Sequence, residues 1–210
     1  MISYFKKIYY KQAFNPDFLG ILVNPFYFAR RNLFKKIVFY STFMSGKLLD
    51  IGCGSMPYKR LFNVDKFLGM DIDSEFSRKL GVADYFYNGK TFPLKSSSFD
   101  SCICNQVLEH VFNPDEFLGE IYRILKPNGK LLLTVPFVWD EHEQPYDYAR
   151  YTSFGLQSLL EKNGFKLLQH EKICSDASVI FQITNLYIFK LVIKRNKLIR
   201  LVGMLFLWRR

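Results

Sequence analysis

Short apolar runs alternate with amphipathic helical patterns along most of this chain, and that alternation restricts its fold more than any other feature. KLLDIG (47–52), KFLGMDI (66–72), VADYFY (82–87), FDSCICNQV (99–107), KLLLTVPF (130–137) and FKLLQHEKI (165–173) read as strands. Short helices are expected around 57–62 and near 74–80, and longer ones over PDEFLGEIYRIL (114–125) and SFGLQSLLEKNGF (153–165). The helix at 114 opens with Pro and acids and gathers Phe117, Ile121, Ile124 and Leu125 on one side, before KPNGK stops it. The helix at 153 has a serine cap and an Asn-Gly stop. Strands that alternate with helices predict an α/β fold: a Rossmann-like, doubly wound, mostly parallel sheet with six strands evident.

A chain of 210 residues suits one such domain. It divides into a basic, aromatic, helical flank (1–45, broken at Asn24-Pro25), the α/β domain (46–175) and a basic, apolar, helical tail (176–210). The formal charge of +10 is uneven. Residues 1–47 hold eight Lys/Arg and one acid, residues 181–210 hold seven and none, so both flanks carry +7 and the middle −4. Basic residues mixed with Phe, Leu and Ile fit an anionic membrane surface better than a nucleic acid, and solvated helix faces are the alternative. On the tail helix Lys190, Lys194 and Lys197 share one face. No stretch reaches the roughly 18 uncharged apolar residues of a spanning helix; VIFQITNLYIF (179–189) ends at Lys190. MISYFKKIYYK lacks the pattern of a secretory signal. A cytoplasmic protein, peripheral on the inner face of the membrane, is the expectation. Cys53, Cys102, Cys104 and Cys174 have no zinc spacing, so free thiols and no metal are expected.

The ligand end of the sheet is written in DIGCGS (50–55). Gly52 and Gly54 let a ligand approach the backbone where a Cβ would clash. Asp71, seventeen residues past Gly54, ends the second strand, where a carboxylate can accept both hydrogen bonds of a ribose diol; Asp73 competes for that role. The third glycine of a dinucleotide fingerprint is missing, so no pyrophosphate needs a seat and the ligand is a nucleoside without phosphates. These residues resemble the class I S-adenosylmethionine-dependent methyltransferases, in order, over about residues 47–165. The resemblance implies S-adenosylmethionine as cofactor. It implies a glycine loop at Asp50, Gly52, Cys53 and Gly54, a ribose acid at Asp71 beside Ile72, an adenine contact at Asp84 beside Tyr85, and the methionine end flanked by Asn105 and Gln106. Asp50 can also simply orient the loop backbone. The family usually has a seventh, antiparallel strand; none is evident here, so either the sheet stops at six strands or the chain is a shortened product.

HEQPYDYARYT (142–152) follows the fifth strand, at the edge where the cofactor's methyl would lie. It is similar to a segment of methyltransferases from bacterial polysaccharide and cell-envelope pathways. His142 is the candidate base for a hydroxyl acceptor. Asp147 can orient it or bind a sugar hydroxyl, Arg150 can bind a phosphate or carboxylate, and Tyr146 and Tyr151 can stack on a sugar. Asp147 and Arg150 can equally pair with each other while the tyrosines anchor the loop. Glu109 and His110 read as caps of the following loop rather than catalytic groups. The expected acceptor is a small molecule or lipid-linked glycan methylated on oxygen, and an oligomer is compatible with the apolar tail. The alternatives are a methyltransferase of a lipid-soluble, quinone-type precursor and a non-catalytic module. A nicotinamide-dependent oxidoreductase lacks its GxGxxG.

Overall fold

A computed structural model describes residues 8, 10–18 and 20–195. In chain order its elements are α1 (Gly20–Val23), α2 (Tyr27–Ser41), β1 (Lys47–Ile51), a 3-10 turn (Lys59–Leu61), β2 (Lys66–Ile72), α3 (Glu75–Leu80), β3 (Tyr85–Tyr87), β4 (Phe99–Asn105), a second 3-10 turn (Leu108–His110), α4 (Pro114–Ile124), β5 (Leu125–Thr134), α5 (Ser153–Lys162) and α6 (Ser178–Arg195). The chain falls into two compact units, one of residues 1–38 with 171–210 and one of residues 39–170.

In the larger unit the five strands form a parallel sheet in the order β3-β2-β1-β4-β5. β1 is the centre: Leu48, Leu49 and Ile51 are fully buried, as continuous apolar runs are when helices cover both faces of a parallel sheet. β4 buries Phe99, Cys102, Ile103 and Cys104. α4 lays Phe117, Leu118, Ile121 and Ile124 into the same core, and α5 adds Leu160. α3 starts on a capping box between Ser74 and Ser77 and ends at Gly81 with φ 64°.

Two differences from the sequence reading have physical causes. β5 begins at Leu125, which pairs with Phe99, and the KPNG turn bulges out before Lys130 rejoins opposite Ser101. Pro127 has no N–H to give a ladder and Asn128 sits at φ 63°, so the turn interrupts the strand without ending it. The sixth strand is a correction: among the described residues no strand follows β5, and 165–173 is irregular. FKLLQHEKI is more than half polar, and only Phe165 packs on the core. Leu168 is 75% exposed. Residues 171–173 belong to the other unit.

In the smaller unit the Asn24-Pro25 break ends α1, and the Asn24 side chain ties the turn by donating to the Gln12 carbonyl and accepting from the Phe26 N–H. Buried Gln182 on α6 accepts from the Ala29 N–H and donates to the Pro25 carbonyl. Cys174 accepts from Asn32. The two basic flanks therefore join in one unit. The segment NKLIRLVGMLFLWRR (196–210) lies outside the described residues.

Candidate active site

The site lies at the carboxyl ends of β1, β2 and β4, where ligands of parallel sheets bind. Leaving β1, the chain turns at Gly52 and Gly54 with φ 68° and 47°. The N–H groups of Gly52 and Cys53 both donate to the Met70 carbonyl, at 2.8 and 3.1 Å. The loop is thus held by β2 rather than by Asp50. The two glycines do different work. A Cβ on Gly52 would stand 2.4 Å from Cγ2 of Val107, whereas a Cβ on Gly54 would enter open space. Gly52 lets two loops close; Gly54 leaves a face for a ligand. Gly69, unremarked in the sequence, lets Cys53 and Met56 lie across β2, since its Cβ would meet both side chains under 3 Å.

Asp71 ends β2 with Oδ2 accepting the Gly54 N–H at 3.0 Å and Oδ1 accepting the Ile72 N–H at 2.8 Å. Each oxygen keeps a second lone pair, so the carboxylate can still receive two hydroxyls. Burial raises its pKa against those two amides, and the charge of Glu143 raises it further. Asp73 is spent elsewhere: Arg78 grips it through Nε and Nη2 at 2.5 and 2.7 Å. Exposed Ile72 stands beside Asp71 as an apolar wall.

Asp50 is buried at the end of β1, and burial first, then the charge of Asp71, pushes its carboxyl up to about 8. Such a group ionises most readily when a cation comes beside it. A ribose acceptor, a backbone left open at Gly54 and a buried carboxyl suited to an ammonium together fit the amino-acid nucleoside S-adenosylmethionine.

Asp84 sits differently from its expected role. It lies at the amino end of β3, where its Oδ2 accepts the Gly69 N–H at 2.8 Å, while Tyr85 pairs with Met70 inside the sheet. The residue that β3 delivers to the ligand edge is Asn88, whose Oδ1 accepts the N–H groups of Lys90 and Thr91. The Asp84 assignment came from the resemblance of VADYFY to a family segment, whereas the strand ends at Tyr87, directly before Asn88. At the end of β4, Asn105 and Gln106 join Thr134 of β5: the threonine hydroxyl donates to Asn105 Oδ1 at 2.7 Å and accepts from Gln106 Nε2 at 3.3 Å.

The loop after β5 is built around Asp147. Arg150 binds it through two parallel hydrogen bonds of 2.6 and 2.7 Å, and its carboxyl lies well below the usual range, chiefly through that pairing. Arg150 also donates to the carbonyls of Ala149 and Asp140, so its guanidinium is committed to the loop rather than held out to a substrate. Asp147 accepts the His142 N–H at 2.9 Å, and its Oδ2 lies 3.2 Å from His142 Nδ1. The Asp140 carbonyl is also 3.2 Å from Nδ1. Two acceptors at this nitrogen against one donor, Arg150 at 3.4 Å, place the proton on Nδ1 and the lone pair on Nε2. Tyr151 packs on the core, whereas Tyr146 and Tyr148 are exposed. The Glu109 carbonyl accepts the N–H groups of Tyr148 and Ala149, so the turn after β4 does anchor this loop. The rings of His110 and His142 meet edge to face at 4.8 Å.

Residues 49–133 match the methyltransferase domain family. Over 105 residues the chain is 33% identical to the mitochondrial ubiquinone biosynthesis O-methyltransferase of Schizosaccharomyces pombe, covering 44% of this chain and 38% of that protein. Its fold is similar to that of phosphoethanolamine N-methyltransferase 2 of Haemonchus contortus in complex with S-adenosyl-L-methionine: TM-score 0.56, 19% identity, 87% of this chain and 49% of that one. It is also similar to the [4+2]-cyclase SpnF, with TM-score 0.58, 23% identity, and 77% and 68% coverage. The chain spans about half the length of the first curated relatives it matches. The fold is Rossmann-like, and the match over residues 49–133 supports a methyltransferase domain of the S-adenosylmethionine-dependent kind. Its cofactor is S-adenosylmethionine.

Proposed function

We propose that this protein transfers a methyl group from S-adenosylmethionine to an oxygen of a sugar or lipid-linked envelope intermediate. The observation that carries the reading is Asp71, set at the end of β2 by the Gly54 and Ile72 amides beside a loop left open at Gly54. That a [4+2]-cyclase shares the fold means the activity rests on the site and not on the architecture.

The cofactor supplies an electrophilic methyl on a sulfonium sulfur. Asp71 holds the ribose diol, Asp50 faces the ammonium, Ile72 covers one side of the adenine, and the Asn88 amide reads its edge in the place first assigned to Asp84. Asn105 and Gln106, fixed by Thr134, border the methionine end. His142, oriented through Nδ1, takes the acceptor's hydroxyl proton at Nε2 as the oxygen bonds to the methyl and the sulfur departs as a thioether. Exposed Phe112, Phe137, Tyr146 and Tyr148 give the acceptor side an aromatic surface that suits a sugar face or a lipid-linked ring. The relative that methylates in ubiquinone biosynthesis keeps a quinone-type acceptor as the second reading.

Calorimetric titration with S-adenosylhomocysteine tests the cofactor assignment. Micromolar affinity that falls at least about twentyfold in Asp71→Ala is expected, from the loss of two charge-assisted hydrogen bonds. Wild-type protein that is folded and takes up no heat would sink it. Methyl transfer from labelled cofactor to sugar-linked polyprenyl phosphates, rather than to polyhydroxylated quinone precursors, then decides between acceptors.

A further inference from the structure

Glu109, His110 and His142 each offer one ligand atom, and those atoms lie within 4.8 Å of one another. We propose that these three side chains form a binding site for a divalent transition-metal ion. The donors suit such an ion: two imidazoles and a carboxylate are a set for Zn²⁺, Mn²⁺, Fe²⁺ or Co²⁺ and not for Ca²⁺. Ligand atoms at about 2.1 Å from a tetrahedral ion stand about 3.4 Å apart, so the side chains need to close by about 1 Å on binding.

Both histidines are already fixed through their second nitrogens. His110 Nδ1 meets the Tyr146 carbonyl at 2.9 Å, and His142 Nδ1 lies between Asp147 and the Asp140 carbonyl. A histidine whose Nδ1–H is held by a carbonyl or carboxylate presents the Nε2 lone pair, as metal-ligating histidines do. Glu109 is fully buried, with Oε1 3.8 Å from His110 Nε2. Glu143 Oε2 lies 3.6 Å from the same nitrogen and can supply a fourth ligand. The surrounding charge favours a cation. Asp140, Glu141, Glu143 and Asp147 on the loop, with Glu109, outnumber the single guanidinium of Arg150.

The charge of Glu143, beside the cluster, also reaches Asp71. An ion held here would orient an acceptor hydroxyl and make it more acidic. Ion binding does not rest on the methyl-transfer reading; only this role does, and when the ion is present it replaces His142 as the group that activates the hydroxyl.

The test is titration of Co²⁺ and Mn²⁺ into untagged, chelator-stripped full-length protein, followed by visible absorption and electron paramagnetic resonance. One ion per chain is expected, with affinity at least fivefold weaker in His142→Ala and in Glu109→Gln, while affinity for S-adenosylhomocysteine stays within threefold. If Glu109→Gln fails to fold, His110→Ala replaces it under the same threshold. No saturable binding, or binding that His142→Ala changes by less than fivefold, overturns the site. Protein that binds Co²⁺ but not S-adenosylhomocysteine sinks the cofactor reading alone; the reverse sinks the ion alone.

Discussion

At the scale of single residues, Asp50 gives the sharpest expectation. Below the ordinary carboxylate range folded and unfolded chains both carry its proton. Between there and about 8 only the folded chain does, so the cofactor-free protein loses stability as pH rises across that window. An ammonium beside Asp50 reverses the balance by favouring the charged form. Binding of S-adenosylhomocysteine then releases a proton, and affinity rises by up to about tenfold per pH unit as pH approaches 8. Calorimetry in buffers of different ionisation enthalpy reads the proton directly. Asp50→Asn is expected to bind at least about tenfold more weakly at pH 8, with no release and a flat profile. A wild-type profile already flat between pH 6 and 8 would remove Asp50 from the ammonium site.

At the scale of elements, the turn after β1 separates packing from binding. Gly52→Ala meets both a left-handed φ and Val107, and is expected to cost about 3 kcal/mol or more of stability. Gly54→Ala meets only the left-handed φ, about 1–2 kcal/mol, yet places a methyl on the open face and should abolish cofactor binding in a folded protein. Denaturant midpoints and calorimetry on the two variants check the contrast. In the core of the same unit, Ile121→Ala removes a fully buried side chain of α4 and is expected to cost about 2–5 kcal/mol with cofactor affinity unchanged. What was legible in the sequence follows the same division. β1, β2 and β4 were readable because burial on both faces leaves unbroken apolar runs, and α4 because one buried face repeats at the helical period. The sixth strand was misread because five polar residues among nine leave 165–173 too little apolar surface for a strand of the core. The place of Asp71 at the end of β2 was readable from spacing along one βαβ unit. The Glu109–His110–His142 cluster was not, because only the fold carries the loop after β5 back onto the turn after β4.

At the scale of the whole molecule, charge and exposed apolar surface coincide in one unit. Residues 1–38 with 171–210 hold fifteen Lys/Arg and three acids, a balance of +12, against −2 for residues 39–170. Among the described residues no helix is long and apolar enough to cross a membrane. α6 nevertheless exposes Ile180, Phe181, Ile188 and Leu191, with Lys190 folded over the Tyr187 ring. Leaving such side chains in water forgoes the burial that would stabilise them, whereas an anionic bilayer accepts the apolar groups at its interface and draws the lysines to its head groups. The full chain is therefore expected to sediment with phosphatidylserine-containing vesicles and not with phosphatidylcholine alone. Raising salt from about 0.05 to 0.5 M, which shortens the screening length from roughly 14 to 4 Å, should release most but not all of it, because only the electrostatic part is screened. Ile180→Glu with Leu191→Glu should then remove the salt-resistant fraction while binding of S-adenosylhomocysteine is retained. Protein that stays in the supernatant with anionic vesicles at low salt would assign these side chains to another protein surface, and with it move the acceptor from the membrane to solution.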